Sequence, residues 1–360
     1  MILSKISNYF ISEVLHIRLK PQTLQMPITG KCNSKCITCN IWKQHKRIDM
    51  SADELKKIVA DPYFSNVENV GINGGEPFLH SEFEEIIRTI TTLPSIERIY
   101  LISNGLLTNR IIEKLKSIKE ITMARNVKLY LTISLDGIDN KYTDVRGIAG
   151  GFNRVKETLY AIKSDMESYC DSLTIGTTVS IENVDSLKEI DSFATDLSIP
   201  VNYHIAVPNR RIYTNEDSDR YSVLCDELAR LKAIEFFYGR FKKSKTIKEK
   251  LLYFQNYYYL HSNGRRVSSC TYKKQDLTID ENFNLYYCAK ESKKIGNLTE
   301  NKACEILNKD FSKQEERRIC KECVNCGHYI TLPTVQGFLL MVLEILRPGV
   351  WIAYRYLAKW

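Results

Sequence analysis

The first two hundred residues alternate between β-strand and α-helix patterns, and this alternation restricts the fold more than any other feature. Apolar runs rich in β-branched residues are each followed by a segment of helical periodicity, which is typical of βα units and a parallel sheet. Six candidate strands lie at 24–29, 67–73, 98–103, 127–134, 172–180 and 200–206. The sequence therefore predicts an α/β fold, a partial (β/α)6 barrel of the TIM type whose active site lies at the carboxyl ends of its strands.

The strand rhythm ends near Pro208, and short strands, turns and cysteines begin at Cys270. A chain of 360 residues is long enough for a barrel with a smaller appended domain. The predicted segments are an amphipathic N-terminal helix at 1–22, the barrel at 23–207, a helical connector at 208–265, a small cysteine-rich α+β domain at 266–334, and an apolar, aromatic C-terminal helix or tail at 335–360.

The composition is that of an ordinary globular protein, with 44% hydrophobic and 26% charged residues. The formal net charge of +8 comes from scattered lysines and arginines, densest at 241–250, which indicates a solvated helix face and not nucleic-acid binding. Many of the 11 cysteines cluster at gaps of two and three residues, as metal ligands do, whereas disulfide frameworks belong to small secreted proteins. We therefore expect a reducing, cytoplasmic location.

Three cysteines, Cys32, Cys36 and Cys39, follow the first predicted strand with Cys-x3-Cys-x2-Cys spacing. Thiolates at these intervals can ligate three irons of a 4Fe-4S cluster and leave the fourth iron open. A zinc knuckle is the alternative, but structural zinc takes four protein ligands, and His45 is the one further Cys or His close by in the sequence. The spacing favours the cluster.

Further motifs stand at the ends of the next strands: Gly-Gly-Glu-Pro at 74–77, Ser-Asn-Gly at 103–105 and Ser-Leu-Asp-Gly at 134–137. Together with the cysteine loop, they resemble the motifs of the radical S-adenosylmethionine (SAM) superfamily. The SAM-binding residues that the resemblance implies are Gly74, Gly75, Glu76, Pro77, Ser103, Asn104, Ser134, Asp136, Arg146 and Ser180. One departure is Thr38, because the family usually has an aromatic residue before the third cysteine; Ile41 and Trp42 are then the nearest candidates to pack on adenine.

The resemblance also implies the chemistry. In that family the methionine part of SAM chelates the open iron, and one-electron reduction cleaves SAM to a 5′-deoxyadenosyl radical that abstracts a hydrogen atom from the substrate. The implied cofactors are a 4Fe-4S cluster with an open iron site and SAM. The implied redox partner is an electron donor such as flavodoxin or ferredoxin.

The C-terminal cysteines form a second group, similar to the SPASM or twitch extension that carries an auxiliary cluster. One auxiliary 4Fe-4S cluster is expected, because six cysteines from Cys270 onward are too few for two fully ligated clusters. The candidate ligands are Cys270 and Cys288 with two of Cys320, Cys323 and Cys326. A zinc site made by the last three with His328 or Cys270 is the alternative. Phe283 stands where the family commonly has glycine, and Cys170, Cys225 and Cys304 are predicted to be buried core residues.

These features predict a radical SAM enzyme of the oxidoreductase or lyase type. The expected substrate is a small molecule, carbohydrate or lipid-linked compound, because the first barrel strand begins near Leu24 and no N-terminal peptide-recognition domain is visible. A peptide- or protein-modifying maturase is the first alternative. A non-enzymatic iron–sulfur or zinc scaffold is the second, but it would not need the motifs at 74–77 and 134–137.

Both ends of the chain allow contact with a bilayer surface. The stretch 1–20 has an amphipathic pattern without the apolar run of a signal peptide, and 335–360 is apolar but too interrupted to span a membrane. The aromatic and basic residues of the C-terminal stretch suit an interface; they are Trp351, Tyr354, Arg355, Tyr356, Lys359 and Trp360. Packing of both ends on the barrel is the alternative to peripheral membrane contact.

Overall fold

The computed structural model describes residues 18–44, 47–207, 220–323, 326–327, 333–350 and 352. Most of the predicted N-terminal helix, His45, the polar stretch after Val207, His328 and nearly all of the aromatic tail lie outside the described residues. All 11 cysteines are free thiols.

Six parallel strands form the barrel, as the sequence predicts. They are β1 (Thr23–Pro27), β2 (Asn69–Asn73), β3 (Arg98–Ser103), β4 (Lys128–Ser134), β5 (Ser172–Val179) and β6 (Val201–Ile205). Each pairs with the next in chain order, because every connection returns the chain to the same end of the sheet. The partial barrel is therefore confirmed.

Helices cover the outer face of the sheet, and strand residues that point outward are buried beneath them. In β3, for example, Ile99 and Leu101 are fully buried. The Ser51 hydroxyl caps the first of these helices by accepting a hydrogen bond from Glu54 N. The helices of this part are α1 (Ala52–Val59), α2 (Phe83–Ile90), α3 (Thr108–Met123), α4 (Asp139–Arg146), α5 (Gly151–Ser164) and α6 (Leu187–Asp196).

The C-terminal part continues the barrel sheet. Strand β7 (Leu277–Ile279) pairs in parallel with β1, and β8 (Asn284–Tyr286) and β9 (Gly296–Asn297) follow as antiparallel strands. The described strands thus form one nine-stranded sheet. The helices of this part are α7 (Glu227–Lys243), α8 (Ile247–His261), α9 (Ala303–Asn308), α10 (Asp310–Glu322) and α11 (Val335–Leu346). Among the described residues, no helix has the length and apolarity needed to cross a bilayer.

The backbone conformation at Phe283 is one that favours glycine. Its φ is +61°, a left-handed conformation that costs a residue with a side chain about 1–2 kcal/mol. The turn that imposes it is held by Asp280, whose carbonyl accepts from Phe283 N and whose carboxylate accepts from Asn282 N and Asn284 N. The phenyl ring is buried, and this burial offsets the strain.

The prediction that the lone cysteines are core residues is right for one of three. Cys170 is buried, but Cys225 and Cys304 are exposed. Cys225 lies in a turn just before α7, and Cys304 lies on the solvent side of the short helix α9. A cysteine side chain is small and apolar wherever it lies, so its residue type alone does not predict burial. The sequence around a short helix or turn also does not show which of its sides faces the core.

Candidate active site

The cysteine loop lies between the end of β1 and the end of α4. Its backbone is held by α4, because Lys35 N donates to Arg146 O and Ile37 N donates to Val145 O, both at 3.0 Å. Cys36 is buried, with the Ser34 hydroxyl 3.1 Å from its sulfur. Burial raises the pKa of the Cys32 thiol to about 12 and also raises that of Cys36. A cation at these thiols would reverse both shifts.

The Gly-Gly-Glu-Pro turn packs directly on the backbone that precedes the cysteines. Gly75 N donates to Thr29 O and Glu76 N donates to Lys31 O, both at 2.7 Å. A Cβ atom on Gly75 would collide with the Lys31 carbonyl. Glycine is therefore required here by close approach of two backbones. Pro77 begins the short 3-10 turn Pro77–Leu79, which ends the motif.

Glu76 turns away from solvent and joins the second strand to the third. Its Oε1 accepts hydrogen bonds from the Ser103 hydroxyl (2.9 Å) and Phe78 N (3.2 Å), and its Oε2 accepts from Asn104 N (2.7 Å). Complete burial raises the pKa of this carboxyl to about 7, although the three hydrogen bonds oppose the shift. Glu76 and Ser103 are thus hydrogen-bonded to each other in the protein interior.

Asn104 connects the end of β3 to the cysteine loop. Its side-chain amide donates to Asn33 Oδ1 at 2.7 Å and points an N–H at Cys32 Sγ, 3.9 Å away. Its carbonyl oxygen accepts from Leu106 N at 3.0 Å. The amide is therefore oriented on both sides, and one of its hydrogens faces sulfur.

Asp136 and Arg146 form a buried ion pair beside Cys36. Arg146 Nε lies 2.7 Å from Asp136 Oδ2, and Arg146 Nη1 lies 3.6 Å from Cys36 Sγ. Burial alone would lower the pKa of Arg146, but the Asp136 carboxylate and the Cys36 thiol raise it. Asp136 Oδ1 also accepts from Thr178 N at 2.7 Å. The pair therefore joins the ends of β4 and β5 to the cysteine loop.

The two predicted serines differ in their surroundings. Ser180 is buried, and both its N–H and its hydroxyl donate to Asn183 Oδ1. Asn183, which sequence reasoning missed, also donates to Asp136 O and Thr178 O at 2.9 Å. Ser134 stays partly exposed at the end of β4. A polar residue three positions after a strand-end serine is the local signal that would have found Asn183.

The inner wall of the barrel is uncharged from the middle of the strands to their carboxyl ends. Contacts between residues on this face identify it, because a Cβ on Gly71 would meet the Gln25 amide and one on Gly176 would meet the Thr132 methyl. Tyr100 and Tyr130 stack on this wall with ring centroids 5.1 Å apart. The remaining side chains of the wall on the described strands are Asn73, Ile102, Ser134, Thr174, Thr178, Asn202 and His204.

His204 lies at the carboxyl end of this wall, paired in register with Thr178. The residue is exposed to solvent, as a side chain that faces an open cleft can be. Partial loss of hydration and the nearby Lys290 ammonium lower the pKa of His204, while Asp136 opposes the shift. Lys290 Nζ donates to Val207 O at 3.3 Å, so the loop after β8 reaches the end of β6.

A comparison with known protein families identifies the family in which the cysteine loop and the strand-end motifs occur together. The sequence pattern described as the radical SAM superfamily matches residues 26–216, slightly more than half of the chain. The protein belongs to the radical SAM superfamily. Members of this family are enzymes that use a 4Fe-4S cluster and SAM, and the same holds for this chain. The scaffold alternative is therefore wrong.

Curated relatives match over part of the barrel. A probable GTP 3′,8-cyclase of Methanococcus maripaludis is 38% identical over 98 residues, which is 26% of this chain and 32% of the relative. The GTP 3′,8-cyclase of Clostridium perfringens is 28% identical over 151 residues, 40% of this chain and 43% of the relative. The matched parts span about a third to a half of these relatives.

Solved structures share the radical SAM fold along most of the chain. The structure of anSMEcpe with bound S-adenosylmethionine (AdoMet) has a TM-score of 0.60 at 15% identity, and the match covers 92% of this chain and 97% of that chain. Streptococcus suis SuiB bound to its precursor peptide SuiA has a TM-score of 0.56 at 16% identity, covering 90% and 74%. At these identities the likeness shows the fold, including its C-terminal part.

The residues of the first cysteine loop fit the cluster that radical SAM enzymes use. Iron–sulfur clusters are held by cysteine thiolates, and hydrogen bonds to sulfur tune their potentials; here three thiols share one loop, and Asn104 and Arg146 point N–H groups at two of them. Trp42 Nε1 donates to Cys36 O at 3.2 Å, which ties its indole to the same loop. Within the described ranges, no three His, Cys, Asp or Glu side chains converge on a single-ion site.

The C-terminal cysteines differ in their surroundings. The thiols of Cys288 and Cys270 are close enough to Cys323 to raise its pKa, after burial, and Cys326 acts in the same way on Cys288. Cys320 instead points its sulfur at Lys273 O, 3.6 Å away. The carbonyls of Cys323 and Cys326 both accept hydrogen bonds from Arg266, at 3.2 and 3.5 Å. Cys270, Cys288 and Cys326 thus each influence the ionisation of a neighbouring thiol of this group.

Proposed function

We propose that Cys32, Cys36 and Cys39 bind the 4Fe-4S cluster and that the strand-end motifs bind SAM around it. When bound, the cluster supplies the electron that cleaves SAM to methionine and a 5′-deoxyadenosyl radical. Flavodoxin or ferredoxin is the class of donor that returns the electron. The SAM-binding residues in this proposal are Gly74, Gly75, Glu76, Pro77, Ser103, Asn104, Ser134, Asp136, Arg146 and Ser180.

In this proposal the predicted residues have different roles, and only some of them contact SAM directly. Glu76, Ser103 and Ser180 hold the loops in place, since their side chains are buried and bonded within the protein. Asn104 and Arg146 direct N–H groups at the ligating sulfurs. The partly exposed Ser134 and the backbone of the glycine turn remain for direct contact with SAM, because short polar groups at strand ends can reach a bound molecule.

We further propose that the radical abstracts hydrogen from an uncharged, hydroxyl-bearing small molecule, such as a carbohydrate, free or lipid-linked. The observation that carries this proposal is the inner wall, where the strand side chains from mid-strand to the carboxyl ends include hydroxyl, amide and tyrosine groups and no Asp, Glu, Lys or Arg. Such groups exchange hydrogen bonds with sugar hydroxyls, and aromatic faces cover their C–H surfaces. A charged substrate group in contact with these strand side chains would have no oppositely charged partner among them, which is costly.

Two other substrate classes follow from the comparisons. A peptide is supported by SuiB bound to its precursor peptide and by anSMEcpe bound to the Kp18Cys peptide, and neutral side chains would also suit the wall. A nucleoside triphosphate is supported by the cyclase relatives, but its phosphates need cationic partners. On the described inward-facing strand positions, Arg98 and Lys128 are the charged residues, and both lie at the opposite, amino-terminal ends of their strands. We therefore rank the peptide second.

The first test measures SAM cleavage in the anaerobically reconstituted protein with dithionite. We expect 5′-deoxyadenosine, and loss of about four irons and all of this product in Cys36→Ala. Cys225→Ala is the matched control, because Cys225 is exposed and outside both cysteine groups. Deuterated neutral sugars and deuterated peptides are then compared for deuterium transfer into 5′-deoxyadenosine. Transfer from peptides alone would contradict the carbohydrate proposal and leave the radical mechanism standing.

We propose Cys270, Cys288, Cys323 and Cys326 as the ligands of one auxiliary 4Fe-4S cluster, with Cys320 outside the set. Arg266 supports this assignment, because it donates to the carbonyls of both Cys323 and Cys326 and so holds these two cysteines together, whereas the Cys320 sulfur lies 3.6 Å from Lys273 O. The electrostatic influence of Cys270 and Cys288 on Cys323, and of Cys326 on Cys288, is consistent with it. Cys323→Ala is expected to lose about four of roughly eight irons per chain, and Cys320→Ala is expected to keep them. Equal loss in both variants, or zinc in place of the missing iron, would contradict it.

A further inference from the structure

Helix α11 presents its apolar side chains to solvent. Leu339 and Leu346 are 56% and 71% exposed, whereas a surface helix ordinarily turns such residues inward. The other exposed apolar residues of this face and the turn after it are Val335, Phe338, Leu343, Ile345 and Val350. We call these seven residues the α11 face. A patch of this kind on a folded chain marks a contact surface.

Contacts at the start of α11 set its orientation. Gly337 lies against Val267, so closely that a Cβ atom would collide with the Val267 carbonyl. Thr334 N donates to the same carbonyl at 2.8 Å, and the Thr334 hydroxyl accepts from Gly337 N at 3.1 Å. Met341, one turn later, belongs to the hydrophobic core. Rotation of the helix to bury its leucines would break all of these contacts.

The acidic residue of α11 is buried instead of exposed. Glu344 is 1% exposed, and its Oε2 accepts from Gly349 N at 3.0 Å. The carboxylate lies near Tyr238 and Tyr257 of the two helices packed nearby, where it adds to the effect of burial in raising their pKa values. The outward side of α11 therefore carries no negative charge.

The end of α11 and the sequence that follows it are basic and aromatic. From Ile345 to Trp360 there is no Asp or Glu, and the basic residues are Arg347, Arg355 and Lys359. Tryptophans and tyrosines are interspersed among them, and these residue types favour the interface between lipid and water. Apolar surface, basic charge and interfacial aromatics together are the features of a segment that binds anionic lipid.

We infer that the α11 face binds the surface of an anionic lipid bilayer. The 12 residues of α11 extend about 18 Å, less than the roughly 30 Å hydrocarbon core, so the helix lies in the plane of the interface. A second copy of the chain fits less well, because a two-fold contact through this face would bring like charges such as Arg347 together. This inference does not depend on the proposed substrate.

The test uses the full chain in a vesicle sedimentation assay. Vesicles of phosphatidylcholine alone are compared with vesicles in which about a third of the lipid is phosphatidylglycerol. We expect binding to the anionic vesicles, weakened at least about tenfold in the double variant Leu339→Glu, Leu343→Glu. Met123→Glu is the matched control, since Met123 is an apolar residue at the end of α3 with 68% exposure and should leave binding unchanged. Circular dichroism melting confirms that the variants fold.

A second pair of measurements separates lipid from other occupants. Arg347→Gln with Lys359→Gln is expected to reduce the preference for anionic over neutral vesicles, because the basic residues supply the attraction to charge. Unchanged vesicle binding by the leucine variant would overturn the inference. So would a wild-type dimer, measured by sedimentation velocity, that the leucine variant converts to monomer while neither protein binds vesicles.

Discussion

At the scale of single residues, Glu76 is a motif residue whose carboxylate is bonded within the protein. The carboxylate is fully buried and accepts hydrogen bonds from three groups on two loops. Its pKa is raised from 4.5 to about 7, with burial as the largest cause. The folded protein therefore holds this proton more tightly than the unfolded chain does.

The sign of the resulting pH dependence follows from linkage. A carboxyl with a raised folded-state pKa contributes stability that is fully present below pH 4.5 and is lost as the pH rises through about 7. The whole contribution is on the order of 3 kcal/mol. Urea unfolding from pH 5 to pH 8 should show this decline for wild type, and Glu76→Gln should have a flatter profile because its amide does not titrate.

The same variant should be less stable than wild type at pH 5 by about 1–3 kcal/mol. A glutamine has one acceptor oxygen, so its amino group would face a donor such as Asn104 N. Subtracting the two profiles cancels other titrating groups, including His80, whose pKa burial lowers. If the unfolding free energies of wild type and Glu76→Gln changed with pH in parallel, the raised pKa of Glu76 would be contradicted.

At the scale of elements, the turn at Gly75 connects two loops through their backbones. Gly75→Ala should displace the loop that carries Cys32, since the new methyl group collides with the Lys31 carbonyl. We expect a loss of about 1–3 kcal/mol in unfolding free energy and reduced iron content after reconstitution. Gly239→Ala is the control, because a Cβ there meets nothing within 4 Å inside α7 and should stabilise the helix slightly. Equal iron content in both variants would contradict the prediction.

At the scale of the whole molecule, Arg18 connects the segment just before β1 to the C-terminal part. Its guanidinium donates to the carbonyls of Lys273, Gln275 and Asp276. It also pairs with Glu316 at 3.2 Å and lies 4.4 Å from the Tyr287 ring centroid. These contacts lie beside the place where β7 pairs with β1. The barrel and the cysteine-rich part share one sheet and one hydrophobic core.

Arg18→Ala should therefore lower the unfolding free energy by about 2–4 kcal/mol, because several buried acceptors lose their donor at once. Thermal unfolding should remain a single transition, since the shared sheet makes the two parts cooperative. Arg125→Ala, at an exposed arginine after α3, should change stability by less than about 0.5 kcal/mol. Two separate transitions for wild type would contradict the cooperative description.

The sequence alone determined the barrel strands and the radical SAM motifs. Strand alternation and loop spacing are local patterns, and strands such as β3 were predicted to the residue. The tertiary structure decided the direction of Glu76, the pairing of Asp136 with Arg146 and the contact of the Cys320 sulfur with Lys273 O. It also decided the outward direction of the α11 face. Each of these features depends on contacts between residues distant in sequence. A periodic pattern shows which residues of a helix are apolar, but it does not show which side of the helix packs on the core.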